Sequence, residues 1–223
     1  MLQRFLRGEL TLTFVAMWIL AIIAALTLHE VAHGFAAYLA GDRTAKRDGR
    51  LSLDPRRHID PLGILFLVVM GFGWAKPVMV SPHNFKNRKW GMALTALAGP
   101  VTNFVLAFIG LFIQLSIWVF ATVVPNTPVW HFLQFLGLFF QVNVLLGVFN
   151  MLPIPPLDGS KVFGALLDDE TYFRFISFPY GMPILMILVI FGGLGPILEP
   201  MMDFVTRGYS TVIFRILQVI YGG

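Results

Sequence analysis

Two histidines and a glutamate lie within five residues of each other, in the segment His29-Glu30-Val31-Ala32-His33. On a helix with about 3.6 residues per turn, His29 and His33 lie on the same face one turn apart, so both imidazoles can bind one metal ion. Glu30 projects from the neighbouring face, where it can reach a water molecule that the metal polarises. The spacing predicts half of a hydrolytic zinc site, with Glu30 as general base.

The surroundings of this motif bear on whether it is a metal site. The HExxH pattern also occurs by chance on helices of soluble proteins, where its side chains face water. Here Leu10 to Leu28 carries no charge, and the apolar character continues to Gly41. Burying two histidines and a glutamate in such a segment is costly unless they are paired or bind a metal. We therefore interpret the motif as a metal site, with a hydrogen-bonded structural cluster as the alternative.

The composition is that of an integral membrane protein. Of 223 residues, 57% are hydrophobic and 13% are charged, whereas soluble domains have about 25% charged residues. The length allows a compact bundle of spans, and no linker, repeat or low-complexity segment divides it. Residues 1–223 are predicted to form one domain, with a core at about residues 10–168 and C-terminal helices at 175–221.

The charges and the lack of cysteine restrict the other possible functions. The formal net charge is +4, but the basic residues cluster beside apolar segments and form no stripe with interleaved aromatic residues. Nucleic acid is therefore not expected as a partner. The chain has no cysteine, which excludes disulfides, thiolate ligands and a cysteine nucleophile. Any transition-metal site must use His, Asp or Glu.

The basic loops predict the orientation in the membrane. A first helix is predicted at residues 10–41, and it is expected to be retained, because cleavage after its apolar run would discard the metal motif. The loop from Asp42 to Asp60 holds six Lys or Arg residues, which places it in the cytoplasm by the positive-inside rule. The protein is thus expected in the cell (inner or plasma) membrane, with its active site toward the cytoplasmic side.

Residues 61–80 are apolar enough to cross a membrane, but the loops on both sides of them are basic. One crossing would separate these loops, so a re-entrant segment is predicted. Glycines and Pro77 argue against a continuous helix, and the end of the segment favours extended backbone. We expect an unwound substrate to add to it as a strand, with a passive plug between helices as the alternative. The candidate substrate-binding residues are Gly71, Gly73, Lys76, Val78 and Val80.

Apolar runs predict the remaining helices. They lie at residues 92–124, 131–152, 175–198 and 201–221. The loop around Pro125 has no Lys or Arg and is expected on the external side. The predicted fold is an all-α polytopic membrane protein with four to five transmembrane helices plus a re-entrant, partly β membrane segment.

A carboxylate that could complete the metal site follows a predicted break between helices. In Pro153-Ile154-Pro155-Pro156-Leu157-Asp158-Gly159, the prolines interrupt the helix at membrane depth. Among the candidate carboxylates, only Asp158 has an apolar, helix-broken context; the others lie in a basic loop, in a surface turn or near a helix boundary. From the residues alone, Asp158 is either the third ligand or the N-cap of the next helix.

The two motifs together resemble a known family. The segments His29 to His33 and Asn150 to Gly159 (NMLPIPPLDG) are similar to the HExxH and NxxPxPxLDG signatures of the site-2 protease family, the intramembrane zinc metalloproteases of peptidase group M50. Residues 71–78 (GFGWAKPV) and 98–100 (AGP), with Asn103, resemble the same family. The likeness covers about residues 10–168 and is greatest to the minimal branch, which lacks PDZ and CBS domains.

This resemblance implies a role for each motif residue. It implies that Asp158 completes a zinc site with His29 and His33, that Glu30 is the base and that Asn150 lies near the metal. Asn150 is then a candidate donor to the developing oxyanion, with capping of the broken helix as the alternative. Asn103 is a candidate substrate-binding residue, and its alternative role is interhelical hydrogen bonding. The implied activity is cleavage of a peptide bond within or near a transmembrane helix of a substrate membrane protein.

Two other functions would use similar residues. A membrane zinc protease of the prenyl-protein type takes its third ligand from a glutamate on a later helix, and Glu170 or Glu199 would serve, although neither lies inside an apolar helix. An intramembrane metal transporter also places His and Asp near the middle of the bilayer. A transporter does not need Glu30 as a base, so the substitution Glu30→Gln separates it from a protease.

Overall fold

The computed structural model describes residues 11–70 and 73–221, which are mainly α-helical. In chain order the helices are α1 (Leu12–Leu39), α2 (Thr44–Arg47), α3 (Pro61–Met70), α4 (Arg88–Phe120), α5 (Pro128–Asn150), α6 (Asp158–Gly164), α7 (Asp169–Ile176), α8 (Gly181–Ile190) and α9 (Gly195–Tyr221), with 3-10 turns at Pro55–Arg57 and Pro82–Asn84. Across the described residues there is no β-strand, and one isolated antiparallel bridge joins Ile59 to Ala75. The predicted helical character is confirmed.

Three helices, α1, α4 and α5, are long and apolar enough to cross a membrane. The shortest of them, α5, has 23 residues, so at about 1.5 Å per residue it matches a hydrocarbon core of about 30 Å. Helices α7 and α8 form a fourth candidate only if they are taken together, because a bend of 51° separates them. The chain is a multi-pass membrane protein with three or four candidate spans among the described residues, where four to five were predicted.

The C-terminal region differs from the predicted helices at 175–198 and 201–221. The first range is broken twice, between α7 and α8 and between α8 and α9. Pro179 lies in the first break, and Gly192, with a left-handed φ of 70°, lies in the second. Helix α9 begins already at Gly195, and it is not among the candidate spans because it combines acidic and basic residues with modest hydropathy.

Helix α4 is central in the bundle, since it packs against α1, α5 and α6, and α1 also packs against α5. Small residues allow α1 and α5 to pack closely. Ala21 and Ala25 of α1 are completely buried, and they form one cluster with Val142 of α5. On α4, Ala107 belongs to a second buried cluster that includes Ile213 of α9. Small residues at such contacts are typical of membrane helices, whose association depends on close packing.

The chain around α3 turns back on itself. Helix α3 has ten residues, about 15 Å, which is too short to cross a bilayer. After it, Ala75 pairs with Ile59, and the Lys76 N–H donates to the carbonyl of His58 at 2.8 Å. The predicted partly β character is wrong apart from this one bridge, because no neighbouring strand is available within the described residues and Pro77 has no N–H to donate. Insertion of the segment into the membrane stays a prediction.

Asp42 fastens two loops together at the C-terminal end of α1. The sequence predicts Asp42 in a basic loop, but the structure buries its side chain completely. Its carboxylate accepts hydrogen bonds from Thr44, from the Ser81 N–H at 2.7 Å and from Asn84 Nδ2 at 2.7 Å. Burial by itself raises the pKa of Asp42, but these hydrogen bonds outweigh it and hold the pKa below its ordinary value.

Candidate metal centre

His29, His33 and Asp158 meet at one buried point between α1 and the start of α6. Asp158 Oδ2 lies 3.2 Å from His29 Nε2 and 3.0 Å from His33 Nε2, and the two Nε2 atoms are 2.9 Å apart. Two ligands of a tetrahedral zinc ion, each at about 2.0 Å, are about 3.3 Å apart, so these spacings are close to those of a zinc site. The structure therefore brings together the three residues predicted as metal ligands.

Hydrogen bonds on the far side of each imidazole orient both rings. His29 Nδ1 lies 2.6 Å from Asn103 Oδ1, and His33 Nδ1 lies 2.7 Å from the carbonyl oxygen of Thr95. Both partners are acceptors, so the hydrogen of each neutral ring is on Nδ1 and each Nε2 presents a lone pair. Two lone pairs and a carboxylate oxygen then face each other with no donor between them. This donor set fits a bound cation of the zinc type.

Gly99 on α4 makes space for the two rings. A Cβ atom at this position would come within 2.5 Å of Cε1 of both His29 and His33. Even alanine would therefore push the rings away from α4. The glycine explains how a third helix can lie directly behind the two histidines and supply their hydrogen-bond partners.

A chain of buried amides extends from the metal centre across the bundle. Asn103 Nδ2 donates to Asn143 Oδ1 at 2.8 Å, and Asn143 Nδ2 donates to the carbonyl of Phe139 at 2.8 Å. Both asparagine side chains are completely buried. His29 on α1 is thereby connected through α4 to α5. The interhelical role given as the alternative for Asn103 agrees with this geometry, and its substrate-binding role stays a prediction.

The break after α5 sets the position of Asp158. Leu157, not Asp158, is the N-cap residue of α6, so the carboxylate is free to point at the histidines. Its second oxygen, Oδ1, lies 3.4 Å from Lys161 Nζ. A Cβ at Gly159 would collide with the carbonyl oxygen of Leu152, so the glycine lets the chain fold closely over the end of α5.

Glu30 lies beside this centre and is not one of the three converging residues. It is half-buried, and its Oε2 accepts a hydrogen bond from the Val78 N–H at 2.9 Å. The predicted projection from the neighbouring face of α1 agrees with this position. Asn150, by contrast, donates from Nδ2 to the carbonyl of Leu146 in its own helix at 3.1 Å, and its oxyanion role stays a prediction.

Among the described positions of the candidate substrate-binding segment, Val78 is the one that makes a hydrogen bond to Glu30. Lys76 is exposed and uses its N–H in the bond to His58, while Gly73 and Val80 are half-buried. Gly71 lies outside the described residues. Sequence reasoning did not identify Thr95, because it acts through a main-chain carbonyl, which leaves no side-chain signal in the sequence.

The two histidines of an HExxH helix converge with an aspartate from another helix, and a glutamate lies beside them in a bundle of apolar helices. This combination is that of a metal-dependent hydrolase of the membrane. Peptidase family M50 has a sequence model that matches residues 115–190, a range that includes Asp158. The chain belongs to this peptidase family, because it is also 40% identical over 149 residues to a curated relative of similar size, of which it covers 68%.

The relatives carry related names. The protein just mentioned is "Putative zinc metalloprotease YwhC" of Bacillus subtilis (strain 168), and the match covers 67% of the present chain. "Putative zinc metalloprotease Rip2" of Mycolicibacterium smegmatis is 34% identical, and the match covers 72% of this chain and 62% of the relative. The protein of the same name in Mycobacterium tuberculosis (strain H37Rv) is 32% identical, and the match covers 76% of this chain and 64% of the relative. No solved structure matches the chain significantly.

Proposed function

We propose that this M50 peptidase is a zinc-dependent intramembrane endopeptidase that cleaves a peptide bond within or near a transmembrane helix of a substrate membrane protein. The enzyme is a zinc metalloprotease. The observation that carries the proposal is the convergence of His29 Nε2, His33 Nε2 and Asp158 Oδ2 inside a bundle of apolar helices. A site at this depth can act on a bond that is itself in the membrane.

The residues of the chain divide the chemistry among them. His29, His33 and Asp158 would hold zinc, which when bound acts as a Lewis acid on the scissile carbonyl and on a water molecule. Glu30 accepts the proton of the attacking water and then donates it to the leaving amine. Its Oε1 makes no hydrogen bond within the described part of the chain, so this oxygen is free for the proton transfer.

An apolar cavity of about 520 Å³ extends to Leu26, within one helical turn of His29, which supports access by an apolar substrate. Leu26, one turn before His29, lines it together with Phe149 at the end of α5, and Glu199 is the one charged side chain among its lining residues in the described part of the chain. A helical substrate hides its carbonyls in hydrogen bonds, so cleavage requires local unwinding, and helix-weakening residues such as glycine should help.

The segment that follows α3 is the proposed place where the unwound substrate binds. Residues 73–81 form no helix, and the Val78 N–H contacts Glu30, which supports strand addition in this vicinity. The Val78 N–H is already used by Glu30, so the substrate would pair with other main-chain groups of residues 73–80. The re-entrant insertion of this segment would keep those groups at membrane depth.

The proposed location is the cell membrane, with the active site toward the cytoplasm. The metal motif is in the C-terminal half of α1, close to the basic loop that begins at Asp42. Basic loops stay on the cytoplasmic side by the positive-inside rule. The lipid bilayer and a membrane-protein substrate are the proposed partners.

The structure favours this function over the two alternatives. Glu170 and Glu199, the candidate ligands for a prenyl-protein-type protease, are both exposed, and Glu170 is paired with Arg174 at 2.7 Å. Asp158 is the carboxylate that converges with His29 and His33. Against a transporter, Glu30 has a fixed position beside the centre without being part of it.

The test is co-expression of the protein with candidate single-span membrane proteins. Native protein should release a shortened substrate fragment, and Glu30→Gln should leave the substrate at full length while still binding zinc. Cleavage that is equal in both would contradict the proposed role of Glu30. Metal uptake by whole cells that survives Glu30→Gln, with no substrate cleaved by either protein, would instead indicate a transporter.

A further inference from the structure

We propose that the backbone amide of Val78 positions the Glu30 carboxylate for catalysis, so that residues 74–81 are a positioning element of the active site and not only a surface for substrate. The inference rests on the proposed function, in which Glu30 is the base. It concerns a main-chain group outside both signature motifs, at a sequence separation of 48 residues from Glu30.

The contact itself leaves Glu30 with two different oxygens. Oε2 accepts from the Val78 N–H at 2.9 Å, a charge-assisted hydrogen bond of ordinary length. Oε1 has no partner within the described residues. A free glutamate side chain samples several rotamers, and a hydrogen bond that fixes one oxygen directs the other. The amide of Val78 thus holds Oε2 and leaves Oε1 available for the proposed proton transfer.

The position of Val78 is set by contacts other than the one to Glu30. Two residues before it, the Lys76 N–H donates to the carbonyl of His58 at 2.8 Å. Three residues after it, the Ser81 N–H donates to Asp42 Oδ2 at 2.7 Å, and Asp42 is completely buried. The segment is therefore fastened on both sides of Val78. Because the amide is fixed by its neighbours, Glu30 adjusts to Val78, and not the reverse.

Gly34 allows the segment to approach α1 this closely. It lies one turn after Glu30 on the same face of the helix. A Cβ at Gly34 would lie 2.9 Å from Leu51 Cδ2, 3.2 Å from Ala45 Cβ and 3.4 Å from Val78 Cγ1. Glycine inside a helix is destabilising, so its presence here is explained by the close packing of these loops over the Glu30 face.

The decisive experiment removes the N–H of residue 78, which donates the hydrogen bond to Glu30. Nonsense suppression with α-hydroxyisovaleric acid at position 78 exchanges the N–H for an ester oxygen and keeps the valine side chain. The matched control is the same replacement at Val124, an exposed loop residue whose amide donates no hydrogen bond within the described residues. Both proteins carry one ester, so any effect of the ester as such is common to them.

The expected result is a lower kcat with an unchanged KM. Loss of a hydrogen bond to a charged group predicts a kcat about ten- to a hundredfold lower for the ester at 78 than for the ester at 124. KM and zinc content should be the same in both, since neither substrate contacts nor ligands are changed. A raised KM with unchanged kcat would show that the amide serves the substrate, and equal kcat values would overturn the proposal.

A second readout does not depend on proteolysis. With ¹⁵N-valine labelling, the Val78 amide proton is identified by its absence in Val78→Ile, and it should resonate downfield and shift upfield in Glu30→Ala. An unchanged shift in Glu30→Ala would refute the contact. Failure of the proposed function has a different signature, because native protein and Glu30→Gln would then behave alike toward every substrate while the amide shift still responds to Glu30→Ala.

Discussion

Replacing Asn103 by leucine tests how the metal centre is supported. Leucine is similar in size but has no polar atoms, so Asn103→Leu removes the acceptor of His29 Nδ1 at 2.6 Å and the donor to Asn143 Oδ1 at 2.8 Å. Because residue 103 is completely buried, water cannot replace either partner. The His29 ring then loses the contact that fixes both its orientation and the position of its hydrogen.

The expected losses of zinc affinity and of stability follow from these two contacts. Loss of a partner behind a metal-bound histidine lowers metal affinity by about 10- to 100-fold, which corresponds to about 1.4–2.8 kcal/mol. Stability should fall as well. A buried polar group without a partner costs about 1–3 kcal/mol, whereas interhelical hydrogen bonds in membranes average about 0.6 kcal/mol. For His29 Nδ1 and Asn143 Oδ1 together we therefore expect the free energy of unfolding to fall by about 1–4 kcal/mol.

The assay is chelator competition for zinc in detergent at constant pH, with thermal unfolding of the same samples. Asn143→Leu is the matched control, because it removes the next link of the amide chain and leaves the bond between Asn103 and His29 in place. The control should lose stability but retain most of its zinc affinity. Asn103→Leu should lose both.

Two outcomes would contradict a positioning role of Asn103. If Asn103→Leu binds zinc as tightly as the native protein, Asn103 does not position His29. If zinc affinity and kcat stay constant while KM rises, Asn103 contacts the substrate, which is the role predicted for it from the sequence.

Three further predictions concern the metal, the topology and the loops. Purified protein should contain about one zinc per chain, which Asp158→Ala loses and Glu30→Gln retains; full zinc content in Asp158→Ala would remove it from the ligand set. A cysteine introduced at Lys46 should be protected from an impermeant thiol reagent added outside intact cells, while one at Asn126 should react, and the reverse pattern would contradict the proposed orientation. Asp42 stabilises the native state while its carboxylate is charged, so Asp42→Asn should cost about 1–3 kcal/mol at neutral pH. Because the pKa of Asp42 is lower in the folded than in the unfolded state, its contribution is complete above the unfolded value of about 3.9 and is lost as the pH falls through the folded value. Denaturant unfolding at neutral and at acidic pH should show that acid lowers the free energy of unfolding less in Asp42→Asn than in the native protein.

The residues of the metal centre could be predicted because local patterns in the sequence mark them. His29 and His33 share a helix face by spacing alone. The apolar, proline-broken context of Asp158 left an N-cap role open, and the family resemblance implied its role as third ligand. These properties do not depend on how the helices pack. The hydrogen-bond partners behind the histidines do depend on packing, so the contact between Asn103 and His29 could not be predicted from the sequence. The substrate-binding role of Asn103 stays a prediction.

The errors of prediction concern non-local structure. The residues from Val78 to Val80 favour extended backbone, but a strand needs a neighbour, and none lies beside them within the described chain. Asp42 is surrounded by basic residues in sequence, yet its hydrogen-bond donors include Ser81 and Asn84, about 40 residues later. The apolar run at 175–198 predicted one span, whereas Pro179 and Gly192 lie at the two breaks that divide it.

The amide chain from His29 through Asn103 to Asn143 has a consequence for biosynthesis. The metal centre and its supports come from stretches of the chain that leave the ribosome at different times: His29 first, Asn103 and Asn143 later, and Asp158 last. A nascent chain whose first helix is already in the bilayer holds only the HExxH half of the site. Peptidase activity therefore cannot begin before the helices from both ends of this region have been inserted and have docked, because the proposed ligand set is incomplete until then.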